Sequence, residues 1–143
     1  GGGGAAAWPC PGRPYLWLEG SLLYPDESLD FRDGGLVASS RGPGRWRRDT
    51  NLSQGVWLNW PSHKPEALGG PPGFEPREEA WFLQFSEEHD KFAATSLEEA
   101  SRSAAGVTQE LLTTMVRRLF VSVNHEFCNT ANECDFREAR GRG

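Results

Sequence analysis

Apolar and polar positions alternate along this chain with two different periods. Leu111, Leu112, Met115, Val116, Leu119, Phe120, Val123 and Phe127 repeat at steps of three and four. That spacing puts them on one stripe of an α-helix over residues 108–127, with Thr108 as the cap. Gln109, Glu110, Thr113, Thr114, Arg117, Arg118 and Ser122 fill the other face. Burying side chains of this kind is worth roughly 1.5–3 kcal/mol each before entropy, so the stripe is expected to cover a sheet of this chain or dock on a partner.

Upstream the period is two. Val56, Leu58 and Trp60 fall on one face of a strand that Pro61 stops, and Trp57 points the other way. Residues 15–24 read as two short strands around Gly20, ended by turn chemistry at Pro25-Asp26-Glu27-Ser28, and residues 80–85 as the last strand. A further strand near Leu36-Val37-Ala38 follows an Asp33-Gly34-Gly35 turn signal. Ser86 then reads as a helix N-cap, with Glu87 and Glu88 in the first turn. Phe92, Ala93, Leu97, Ala100 and Ala104 fall on one side of that helix, which extends to Gly106. Residues 39–54 read as a basic loop. Residues 61–77, with five prolines, read as an extended loop that is mobile or clamped by its own Phe74.

These elements predict an α+β fold. A small antiparallel β-sheet from residues 15 to 85 is closed by one or two C-terminal α-helices, with long irregular loops. Residues 1–14, rich in Gly, Ala and Pro, are expected to be disordered. Residues 15–127 form the single domain, and 128–143 a flexible tail. No internal repeat of 20 to 50 residues appears.

Composition supports a modest core: of 143 residues, 17 are Gly and 10 are Pro, and only 37% are hydrophobic. The net charge of −5 argues against bulk nucleic-acid or anionic-membrane binding. Locally, Arg41, Arg45, Arg47 and Arg48 crowd around Trp46, a pattern able to hold phosphates of RNA or a phosphoinositide. Six tryptophans are many for this length. Indoles beyond what a small core accommodates become binding surface, and Trp57 and Trp60 are the candidate ledge.

Three cysteines, Cys10, Cys128 and Cys134, do not read as a disulfide scaffold. They favour a reduced, intracellular setting, with a Cys128 to Cys134 bridge in an oxidising compartment as the alternative. Asn51-Leu52-Ser53 is a glycosylation sequon that needs a secretory context to matter. His125, Cys128, Cys134 and Asp135 lack the paired spacings of zinc sites. Cys128 with His63, His89 or His125 lacks any nucleophile signature, and no glycine loop for phosphate is present. No cofactor or metal is therefore expected, and no stretch is long and apolar enough to span a bilayer.

Residues 81–93, Trp-Phe-Leu-Gln-Phe-Ser-Glu-Glu-His-Asp-Lys-Phe-Ala, read as a strand, an acidic cap and a helix with an inward Phe. With the Tyr15-Leu16-Trp17-Leu18-Glu19-Gly20-Ser21-Leu22-Leu23-Tyr24 segment, they resemble the pleckstrin-homology-like superfold, especially its EVH1 and Ran-binding branches. The resemblance implies a non-enzymatic binding module for a peptide, a proline-rich segment or a phosphoinositide. The leading expectation is thus an interaction module or complex subunit that binds a protein partner through Trp57, Trp60, Leu112, Val116 and Phe120. Phosphate recognition through Arg41 to Arg48 and a small Cys/His- or zinc-dependent enzyme are the alternatives.

Overall fold

The computed structural model describes residues 9, 13–20 and 26–131, with side chains up to Val121. It divides into two compact units that meet between Gln109 and Glu110.

The first unit is a closed antiparallel barrel of eight strands in sequential order. These are β1 (Tyr15–Leu18), β2 (Glu27–Arg32), β3 (Leu36–Ser39), β4 (Gly44–Arg48), β5 (Gly55–Pro61), β6 (Glu78–Phe85), β7 (Lys91–Ser96) and β8 (Ser103–Thr108). β8 closes on β1 with Leu16 opposite Val107 and Trp17 opposite Gly106. The expected small sheet closed by helices is overturned: the sheet closes on itself, which removes its edges.

Four strands account for the difference. β2 follows the turn chemistry at 25–28 and turns Leu29 and Phe31 inward between Ser28, Asp30 and Arg32. β4 replaces the basic loop, with Trp46 packed on the core and arginines on either side of it. β7 and β8 replace the expected helix over 86–106. Phe92, Ala94 and Ser96 are buried while Lys91, Ala93 and Thr95 are exposed, a period of two rather than 3.6. A β6–β7 turn joins them, with the Ser86 amide donating to the Lys91 carbonyl at 3.0 Å.

In small barrels the interior is just wide enough for side chains to fill. Here rings fill it. Trp17 meets Trp60 and Trp81 edge to face at 4.8 and 4.9 Å between centroids. Toward the opposite end, Tyr15, Phe31, Phe85 and Phe92 form a second cluster, with centroids 5.0 to 6.4 Å apart. The Phe92 ring lies directly over Gly106, its cross-strand neighbour, where an added Cβ would come within 2.0 Å of the ring.

Residues 62–77 link β5 to β6. The Ser62 amide donates to the Arg77 carbonyl and the Arg77 amide to Ser62 Oγ, closing the neck of the loop. A 3-10 turn, Glu66–Leu68, follows Pro65, whose carbonyl accepts from the Leu68 and Gly70 amides. The loop is thus clamped by its backbone, and not by Phe74, which is 69% exposed.

The second unit holds α1, Gln109–Ala131, whose start follows the expected cap at Thr108. No helix among the described residues is long and apolar enough to cross a membrane.

Candidate functional site

Three features of this fold carry chemistry that packing alone does not use: one barrel mouth, the outer face of β4, β5 and β6, and the apolar stripe of α1.

The mouth where β1 and β5 end and β2 and β6 begin holds an ion network. Arg41 is 4% exposed and Glu79 2%. Arg41 donates from Nε and Nη2 to the two Glu27 oxygens at 3.2 and 2.8 Å, and from Nη1 to Glu79 Oε1 at 3.0 Å. Glu79 also accepts from Arg102 Nη1 at 2.8 Å and from Trp81 Nε1 at 2.9 Å. Both guanidinium groups sit over indoles, Arg41 at 4.0 Å from the Trp60 centroid and Arg102 at 5.0 Å from that of Trp81. Burial pushes the Glu19 carboxyl up, but hydrogen bonds from Arg102 and Trp17 and the charges of Arg102 and Arg41 outweigh it and hold the group below its usual range. The hydrogen bond to Glu19, opposed by burial and helped by Glu79, raises Arg102 further. Two guanidinium groups thus tie three carboxylates together, and the network closes this mouth as a structural plug.

Its carboxylates and Arg102 drew no notice in the sequence, where only Arg41 stood out. Glu79 continues the inward alternation of Trp81, Leu83 and Phe85 back by two residues, which is the one signal that could have placed it.

Two of the sequence-derived positions lie at this mouth. Arg41 is 4% exposed, with its guanidinium taken up by Glu27 and Glu79. Trp60 is 1% exposed and belongs to the core, so it cannot form a surface ledge. Trp60 faces inward because it shares the alternation of Val56 and Leu58 on β5.

Trp57, on the outward register of β5, is half-buried. The edge of Phe82 meets it at 4.8 Å and the Arg47 guanidinium lies 5.2 Å from its centroid. Its Nε1 donates to Asp49 Oδ1 at 2.8 Å. The Leu52 amide first, then Trp57 and the Asn51 amide, hold the Asp49 carboxyl below its usual value. Arg45 pairs with Glu78 at 3.0 Å, and Arg48 lies over Trp46 at 5.4 Å. The four arginines thus do not converge on one point: Arg45 and Arg47 share the outward face of β4, Arg48 turns to the other face, and Arg41 is held in the mouth.

In the second unit, α1 exposes its stripe. Met115, Val116, Leu119 and Phe120 are 41%, 46%, 59% and 53% exposed, and Leu112 is intermediate. Beside β3 and β4, a groove of about 690 Å³ is bounded by the β3–β4 turn and the β5–β6 loop.

Of the Cys and His candidates, His63 is half-buried with Nδ1 2.9 Å from the Lys64 carbonyl, and His89 occupies the β6–β7 turn at φ 59°. The His125 and Cys128 side chains, Cys134 and Asp135 lie outside the described residues. Among the described residues, no group of three His, Cys, Asp or Glu is arranged to hold a metal. No protein-family model, curated protein or solved structure matches this chain.

Proposed function

We propose that this chain is a non-enzymatic protein-interaction module, a solid barrel that carries an amphipathic helix as its docking element. The observation behind this reading is the exposure of Met115, Val116, Leu119 and Phe120 along one stripe of α1. Single exposed apolar residues are ordinary, but a contiguous apolar stripe marks an interaction site. Each of the four is about half exposed, so covering them would recover roughly 3–6 kcal/mol before ordering costs. A filled barrel interior supports the same reading, since it leaves binding to the outer surfaces.

The test compares the full chain with a Val116→Glu/Leu119→Glu variant. The wild type is expected to bind the dye ANS, with rapid hydrogen exchange over residues 111–121 in the isolated monomer. The variant should lose ANS binding and keep the barrel's melting temperature. A wild-type monomer that binds no ANS and protects those amides strongly would overturn the reading, because its stripe would already be covered.

A further inference from the structure

The stripe of α1 has an internal order that docking in general does not require. Leu112, Val116 and Leu119 are spaced four and three apart, and the sequence continues the step at Val123. That alternation is a heptad seam, with leucine at its d positions and valine at its a positions. Valine at a with leucine at d is the combination that favours two parallel strands. The helix of 23 residues is about 35 Å long, enough for three heptads.

The positions beside the seam identify the second strand. Between Gln109 and Val123 the a, d, e and g positions carry no charge, because Glu110, Arg117 and Arg118 all fall at b or c. Two identical helices therefore meet along this seam without opposing like charges. In a parallel pair, the g residue of one helix lies against the e residue of the next heptad of the other. Here those residues are Met115 and Phe120, 41% and 53% exposed. Pairing with a copy of itself thus sets a thioether against a phenyl ring on both sides of the seam, a favourable contact made twice by symmetry. We propose that α1 pairs in parallel with α1 of a second copy of this chain, as a two-stranded coil. This pairing rests on α1 being a docking element and names its occupant.

Sedimentation equilibrium of the full chain, loaded from about 1 to about 300 μM, tests this. The average mass should rise to twice that of the chain, with a midpoint on the order of 10–100 μM. Leu119→Glu, on the seam, should stay a monomer throughout. Val121→Glu, at the outward f position, should dimerise like the wild type. Met115→Glu and Phe120→Lys should each weaken pairing. An equal mixture of those two should associate at least about threefold more tightly than either alone, because parallel register sets the new carboxylate against the new ammonium. All four sites are exposed, so each variant should keep the barrel's melting temperature. A chain that is monomeric at every loading yet binds ANS overturns self-pairing and leaves the docking reading standing, whereas a monomer that binds no ANS overturns both. A larger oligomer, a dimer retained by Leu119→Glu, or a mixture no tighter than its components also overturns the parallel pair.

Discussion

Replacing Glu79 by Ala isolates the energetics of the plugged mouth. Glu79 is 2% exposed and accepts from Arg41, Arg102 and Trp81. Without it, Trp81 Nε1, on a fully buried side chain, loses its acceptor, worth about 1–3 kcal/mol. Arg41 keeps Glu27 and the Pro61 carbonyl, and Arg102 keeps Glu19 and reaches solvent at 30% exposure, so neither cation is stranded. Adding the lost methylene, at about 0.8 kcal/mol, gives about 2–4 kcal/mol. At a slope near 1.5 kcal/mol per molar urea, the midpoint should fall by about 1–3 M. Equilibrium unfolding followed by tryptophan emission reads this directly, because Trp17, Trp60 and Trp81 surround the site. Glu78→Ala is the matched control. One residue away, Glu78 faces outward at 52% exposure and pairs only with the exposed Arg45, so its loss should cost under about 1 kcal/mol. Equal effects of the two substitutions, or a loss below about 1 kcal/mol for Glu79→Ala, would refute the inward assignment of Glu79.

Gly106→Ala would place a Cβ about 2.0 Å from the Phe92 ring and should destabilise by about 1–3 kcal/mol or more, with partial recovery in Gly106→Ala/Phe92→Leu; thermal melting of the three proteins checks this, and an unchanged melting temperature in the single variant sinks it. Glu19→Gln should lower stability at pH 7. Because the folded-state pKa of Glu19 is depressed, its contribution is present above the ordinary carboxylate range and lost as pH falls through the folded value. The gap between wild type and variant in a pH series of urea melts should therefore close in acid, and a gap that widens there would contradict the assignment.

How much of this was legible depended on side-chain size at inward positions. β5 and β6 present Val56, Leu58 and Trp60, and Trp81, Leu83 and Phe85, so alternation is plain. α1 was equally plain, because eight large apolar residues keep a helical period. β7 and β8 turn Ala94, Ser96, Ala104, Gly106 and Thr108 toward rings that already fill the space, and small residues leave no hydrophobic signature. Phe92, Ala93, Leu97, Ala100 and Ala104 happened to share helical spacing, which mimicked an amphipathic helix. Closure was out of reach for a different reason, since the pairing of Leu16 with Val107 joins residues far apart in the chain. The arginine cluster was visible as composition, but its directions depend on a register that only closure sets.

Filling the barrel has a consequence for where recognition can occur. Ligand-carrying barrels keep an interior cavity, whereas here three indoles and four phenyl or phenol rings occupy the inside and an ion network closes one mouth. Admitting a ligand to the interior would mean displacing rings that contribute roughly 1.5–3 kcal/mol each by their burial, on a total stability of about 5–15 kcal/mol. Recognition on the outside has no such cost, because the stripe of the helix is already exposed. A rigid interior also fixes the strand register, which holds Asn59 at a set place between Arg45 on β4 and Ala80 on β6. Loosening the mouth with Glu79→Ala should therefore speed hydrogen exchange of the Asn59 and Trp60 amides under conditions where the barrel is still folded, and unchanged exchange there would contradict the link between the mouth and the register.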